Sequence, residues 1–160
     1  MRAQDFERLY EEHAGPLFSF IAYRTGDATL AEDIVADAFE KALRSRSRFD
    51  RRRASEKTWI YTIALNVLRD RARRKGAESR AIGQLPADGD PGPDPLVQVE
   101  DRDQLLRAIA NLSDEEREAI ALRYGGELTV PEMAKLLRQP LPRVEGRVYR
   151  ALRKLREELG

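Results

Sequence analysis

A chain of 160 residues with 41% hydrophobic content can hold one ordinary domain or two small ones. It has no cysteine and a single histidine, His13, which excludes disulfides and thiolate metal sites and leaves an isolated imidazole beside Glu11 and Glu12 that reads as a surface residue. Charged residues make up 36%, and the net charge of +1 conceals an excess of four positive charges over residues 1–75, five negative over 76–103 and two positive over 104–160. No apolar run approaches the roughly 18 residues of a membrane span, and Met1-Arg2-Ala3-Gln4-Asp5 lacks a signal-peptide core, so a cytoplasmic, soluble protein is expected.

The first 75 residues read as helical throughout. Phe6, Leu9 and Tyr10, then Leu17, Phe18 and Ile21, flank Pro16, which is expected to kink or interrupt the first helix. From Thr29 to Leu43 the residues Leu30, Ile34, Val35, Ala38, Phe39, Ala42 and Leu43 follow a 3.6 period, and Thr29 with Glu32 suggests a capping box. The opposite face carries Glu32, Asp33, Asp37 and Glu40. Like charges one turn apart repel, so either a basic partner or simple solubility accounts for them.

Next comes a loop with Arg44, Arg46, Arg48, Arg51, Arg52 and Arg53 around Phe49. Arginines with a ring suit single-stranded nucleic acid, where charge holds the backbone and the ring stacks on bases; Phe49 can equally plug the core. The following helix, Ser55 to Lys75, places Trp59, Ile60, Ile63, Val67 and Leu68 on one face, with Tyr61 and Asn66 nearby, and Asn66 is able to bond a base edge. Packing is an equal alternative for Trp59. The closing cluster Arg69, Arg71, Arg73, Arg74 and Lys75 also complements the helix dipole.

Residues 76–103 combine glycines and prolines with acidic residues and read as a linker, averaging roughly 30 Å end to end as a flexible coil and about 90 Å when stretched. Such a tether would let two domains sit on separate surfaces. Beyond it, Ser113 with Glu116 and Thr129 with Glu132 mark two helix starts by capping boxes. A short helix with Met133, Leu136 and Leu137 runs into a tight connection, Arg138 to Leu141, closed by Pro140, and Pro142 suits the first turn of a last helix reaching about Glu158. Its stripe is Val144, Val148, Leu152 and Leu155; Arg143, Arg147, Arg150 and Lys154 lie mostly away from it. A second helix with a basic outer face is the docking geometry of major-groove readers, and a solvated face on an ordinary bundle is the bland counterpart.

Four segments taken together resemble the bacterial sigma factors of the extracytoplasmic-function group. They are Asp5 to Tyr23 with Asp-Phe-Glu-Arg-Leu-Tyr, Ala31 to Leu43, Trp59 to Arg74 with Trp-Ile-Tyr-Thr-Ile-Ala-Leu-Asn, and Leu112 to Leu159. The resemblance implies an all-α protein of two small helical domains, sigma region 2 over 1–75 and sigma region 4 over 104–160, joined by the flexible acidic linker. It implies a transcription initiation factor without enzyme activity, cofactor or metal, whose partners are core RNA polymerase (the beta-prime clamp coiled coil and the beta flap), promoter DNA and an anti-sigma factor. Glu32, Asp33, Asp37 and Glu40 would then meet the polymerase. Arg46, Arg48, Phe49, Asp50, Trp59, Tyr61, Asn66, Arg69 and Arg73 would meet the minus-ten element, and Arg143, Glu145, Gly146, Arg147, Tyr149, Arg150 and Lys154 the minus-thirty-five element.

The chain departs from the family pattern at Ala36, usually glutamine, and at Glu56, usually phenylalanine. Arg138 and Gln139 stand for a glycine and an apolar residue, Pro140 for a hydroxyl cap, and Glu145 and Gly146 for a basic residue and serine. The alternative of another class is a free-standing dimeric helix-turn-helix regulator. A hydrolase built on Asp33 and Asp37 lacks a nucleophile–base pair and a phosphate loop.

Overall fold

The computed structural model describes the backbone of residues 1–82 and 99–160 and the side chains of 1–76 and 102–160; among them every regular element is helical. Helix α1 spans Ala3–Thr25, α2 Ala28–Arg44 and α3 Glu56–Ile82, with a short 3₁₀ turn at Arg46–Arg48. The second half comprises α4 Val99–Ala110, α5 Asp114–Ile120 prolonged by a wide π turn at Ala121–Gly125, α6 Val130–Leu137 and α7 Leu141–Leu159.

Pro16 lies inside an unbroken α1, so of the expected kink or interruption the interruption does not occur. A mid-helix proline costs about 3 kcal/mol, and fully burying one large aliphatic or aromatic side chain returns about 1.5–3 kcal/mol. Leu9, Leu17, Phe20 and Ile21 flank it and are completely buried, so packing outweighs the lost bond. Gly26 ends the helix in the left-handed region, φ 71°, its N–H donating to Ala22 at 2.7 Å. That turn delivers Asp27 in extended conformation as the cap of α2, where its Oδ1 accepts from Leu30 N–H at 3.0 Å; the expected box on Thr29 and Glu32 does not form because the helix has already begun. The two downstream boxes form as expected, on Ser113 with Glu116 and on Thr129 with Glu132.

Two further expectations are revised. Residues 76–82 continue α3 and residues 99–103 begin α4, so both ends of the segment read as a linker are helical, while 83–98 lie outside the described residues. More consequentially, the two halves do not stand apart. Leu122, Leu128, Met133, Leu136, Val144 and Val148 of the second half share one core with Leu17, Phe20, Ile60 and Tyr61 of the first. Ala108, Ile109, Leu112, Ile120, Ala151 and Leu155 form a separate small core within the second half.

Candidate functional site

On α2 the apolar stripe Ala31, Ile34, Val35, Ala38, Phe39 and Ala42 is buried, which turns the acidic face outward. Glu32 and Asp33 are exposed and make no ion pair among the described residues. Asp37 is half-buried, its carboxylate 3.8 Å from Arg71 of α3 and 4.0 Å from Lys41, and Glu40 bonds Arg44 at 2.6 Å. The four carboxylates thus divide into two that are neutralised locally and two that are not.

The arginine loop is held at both ends. The Met1 amine donates to the Arg46 carbonyl at 3.3 Å, and the Asp50 carboxylate accepts the Arg52 N–H at 2.9 Å. Glu56, standing where an aromatic is usual, pairs with Arg51 at 3.2 Å. Phe49 is half-buried with its ring 5.0 Å from that of Trp59, so the two aromatics brace each other at the base of the loop while Arg46 and Arg48 remain exposed. Ser55 caps α3 by accepting Thr58 N–H at 3.1 Å. Along α3, Asn66 is exposed, Arg73 pairs with Asp70, and Arg69 reaches Glu118 of α5 at 3.3 Å.

Tyr61 is not on the outer side. It is completely buried, stacked 6.2 Å from Phe20, and its hydroxyl donates to the Gly126 carbonyl at 2.7 Å. Removal from water holds this phenol in its neutral form well above the usual range, so it remains a donor. Trp59 and Ile60 face the same core to lesser and greater degree, because apolar residues at 59, 60, 64, 67 and 68 leave 61 on the inner side of a helix covered by the second half.

The reading helix α7 exposes Arg143, Glu145, Tyr149 and Arg150, with Tyr149 63% exposed. Arg147, expected among these, is 8% exposed: its Nη1 donates to Gln139 Oε1 at 2.9 Å and its Nη2 lies 3.5 Å from Glu115. It ties the turn and α5 to α7 instead of facing outward. Lys154 is also engaged, donating to Glu116 Oε1 at 2.8 Å, and this bond chiefly keeps the Glu116 carboxyl below its ordinary value. Arg138 takes the left-handed conformation, φ 55°, that the usual glycine would adopt without strain, and α7 starts at Pro140 without a side-chain cap. A Cβ on Gly146 would meet only the movable Arg150 Nη1, at 3.3 Å, so the fold itself does not require a glycine there.

Sequence reasoning missed the seam between the halves. Lys57 contacts Glu132 at 3.3 Å and the Glu127 carbonyl at 3.4 Å, and Glu118 receives both Arg69 and Arg24. The one local signal was the dipeptide Gly125-Gly126, a pair of side-chain-free positions where another backbone can approach closely. His13 is half-buried beside Glu12, and burial lowers its pKa; among the described residues no group of three potential ligands surrounds a metal position. No described helix is long and apolar enough to cross a membrane.

Comparison with known proteins agrees with this arrangement. Residues 9–78 match Sigma-70 region 2 and residues 102–155 match Sigma-70, region 4. The chain is 33% identical to the ECF RNA polymerase sigma factor SigW of Bacillus subtilis, over 87% of this chain and 81% of that protein. It is 30% identical to the ECF RNA polymerase sigma factor SigL of Mycobacterium tuberculosis, over 95% and 89%. Its structure resembles that of the sigma factor RpoE from Bartonella quintana in complex with the anti-sigma factor NepR, with a TM-score of 0.86, 25% identity and 98% of both chains covered. With both regions matched in order and close to full length, the chain belongs to the ECF RNA polymerase sigma factors, which act in transcription initiation.

Proposed function

We propose that this sigma factor binds core RNA polymerase through the outer face of α2, reads an upstream promoter element with α7, and helps to open the downstream element with the arginine loop and α3. The observation that carries this reading is where unneutralised charge is left: Glu32 and Asp33 on one face, Arg46 and Arg48 on the loop, Arg143 and Arg150 on α7. Exposed like-charged groups give little to folding, whereas they steer and hold partners of opposite sign. Phe49 and Trp59, tied to each other and each partly exposed, offer ring faces for an unstacked base, with the exposed Asn66 about two turns further along α3. Arg147 and Lys154 belong to the support of the reading helix, and Tyr61 to the seam. An anti-sigma factor is the expected regulator, as for the RpoE relative.

Asp33→Lys provides the test. Asp33 is exposed and makes no ion pair among the described residues, so reversal leaves helix content unchanged and weakens retention by core polymerase at least tenfold. A folded Asp33→Lys protein retained like the wild type would refute the placement of the polymerase on α2.

A further inference from the structure

Glu145 stands exposed on α7, and among the described residues no cation pairs with it. Its neighbours three and four residues away are Leu141, Pro142, Val148 and Tyr149, none of them charged, so the helix offers it no partner by spacing. It is the fifth residue of α7, beyond the first turn where the helix dipole favours an acid, and α7 starts at Pro140 without a side-chain cap. The fold therefore gains nothing from this carboxylate, which stands on the same helix as the exposed Arg143 and Arg150.

Its place on the helix says what it could meet. Val144, Val148, Ala151 and Leu155 are buried, which turns Pro142, Glu145, Gly146, Tyr149 and Arg153 to the opposite side. In the middle of that face Gly146 has no side chain, and an added Cβ would meet only Arg150 Nη1, at 3.3 Å. A gap there lets the helix backbone approach a surface that the carboxylate of residue 145 can then touch.

We infer that Glu145 is a specificity-determining residue, which accepts a hydrogen bond from the exocyclic amino group of a cytosine in the upstream element while Gly146 clears the approach. This rests on the proposed entry of α7 into the major groove. In that groove the base edges donate from two groups, the N4 amino group of cytosine and the N6 amino group of adenine. Adenine carries the N7 acceptor beside its amino group, which repels a carboxylate, whereas cytosine has a C–H there. Phosphates on either side repel the same carboxylate, so a sequence without cytosine at that place leaves it unpaired and is bound less well. Glu145 thus acts against the wrong bases as much as for the right one.

The test is selection of upstream elements from a randomised promoter library by holoenzyme made with the full chain and core polymerase. The wild type selects cytosine at one position, by at least about fivefold over the other bases. Glu145→Ala, with its unfolding midpoint unchanged, loses that preference and no other. Glu145→Gln keeps the size and presents a donor beside an acceptor, so it moves the preference to adenine, an exchange that a merely structural role would not produce. N4-methylcytosine at the selected position keeps its pairing hydrogen and turns a methyl group into the groove; it costs the wild type the same factor and costs Glu145→Ala nothing. Gly146→Leu also loses the preference, and a Gly146→Leu protein that still selects cytosine overturns the clearance assigned to the glycine. Identical selection by wild type and Glu145→Ala overturns the inference, as does a Glu145→Ala protein that binds every sequence more tightly with its preferences unchanged. Arg150→Ala on the same elements separates the two levels: if it weakens binding, α7 meets the DNA and only the role of Glu145 has failed, whereas if neither variant changes binding, the proposed function itself is refuted.

Discussion

Replacing Tyr61 by Phe removes one oxygen from the centre of the molecule and nothing else. The ring keeps its stack on Phe20, and the Gly126 carbonyl, which the hydroxyl reaches at 2.7 Å, loses that donor. A net hydrogen bond contributes about 0.5–1.5 kcal/mol, and a buried acceptor left without its donor costs about 1–3 kcal/mol. The expected loss is therefore about 1–2 kcal/mol, or about 2–8 °C in midpoint for a chain of this size. A second signature follows from the raised pKa of this phenol. In the unfolded chain it ionises near its ordinary value of 10.0, whereas the folded protein holds it neutral. The folded pKa exceeds the unfolded one, so the contribution to stability is complete below pH 10 and declines above it, by up to about 1.4 kcal/mol per pH unit. Urea unfolding of wild type and Tyr61→Phe between pH 8 and 11 measures both effects. The variant should be less stable at pH 8, and the gap should narrow as pH rises past 10. Equal stability at pH 8 together with a constant gap would show that the hydroxyl does not bridge the two halves.

Three other outcomes are expected. Arg138→Gly exchanges a left-handed arginine, strained by about 1–2 kcal/mol, for a residue whose extra freedom when unfolded costs about 0.5–1 kcal/mol, so urea unfolding should show a gain of about 0.5–1 kcal/mol. Arg150→Ala should lower the slope of upstream-duplex affinity against salt by about one, as loss of a phosphate contact does, whereas Arg147→Ala should weaken binding and lower the unfolding midpoint with the salt slope unchanged; a reduced slope for Arg147→Ala would return that residue to the DNA face. Because Lys154 depresses the pKa of Glu116, stability present above the ordinary carboxylate value of 4.5 should fall as pH drops through the lower folded value, and Lys154→Ala should flatten that acid limb in thermal unfolding from pH 6 to 3.

Local chemistry settled much of this protein before any contact was known. Period alone placed α2, and capping placed the helix-turn-helix, since the boxes at Ser113 and Thr129 satisfy amides within four residues of themselves. The outward acids of α2 and the outward Arg143 and Arg150 followed from apolar stripes that had to be buried. The four quoted segments carried the family. Where a residue's fate depended on what covers it, spacing was silent. Pro16 survives inside α1 because neighbours on other helices bury the residues around it. Tyr61, Arg147 and Lys154 have the chemistry of DNA contacts, yet each found a nearer partner, in Gly126, in Gln139 with Glu115, and in Glu116. The union of the two halves is the clearest case, for it joins residues some sixty-five positions apart, such as Tyr61 and Gly126. No local period encodes that pairing; it depends on complementary surfaces that exist only once each half has folded, and there the absence of a side chain at Gly125 decides how closely they can meet.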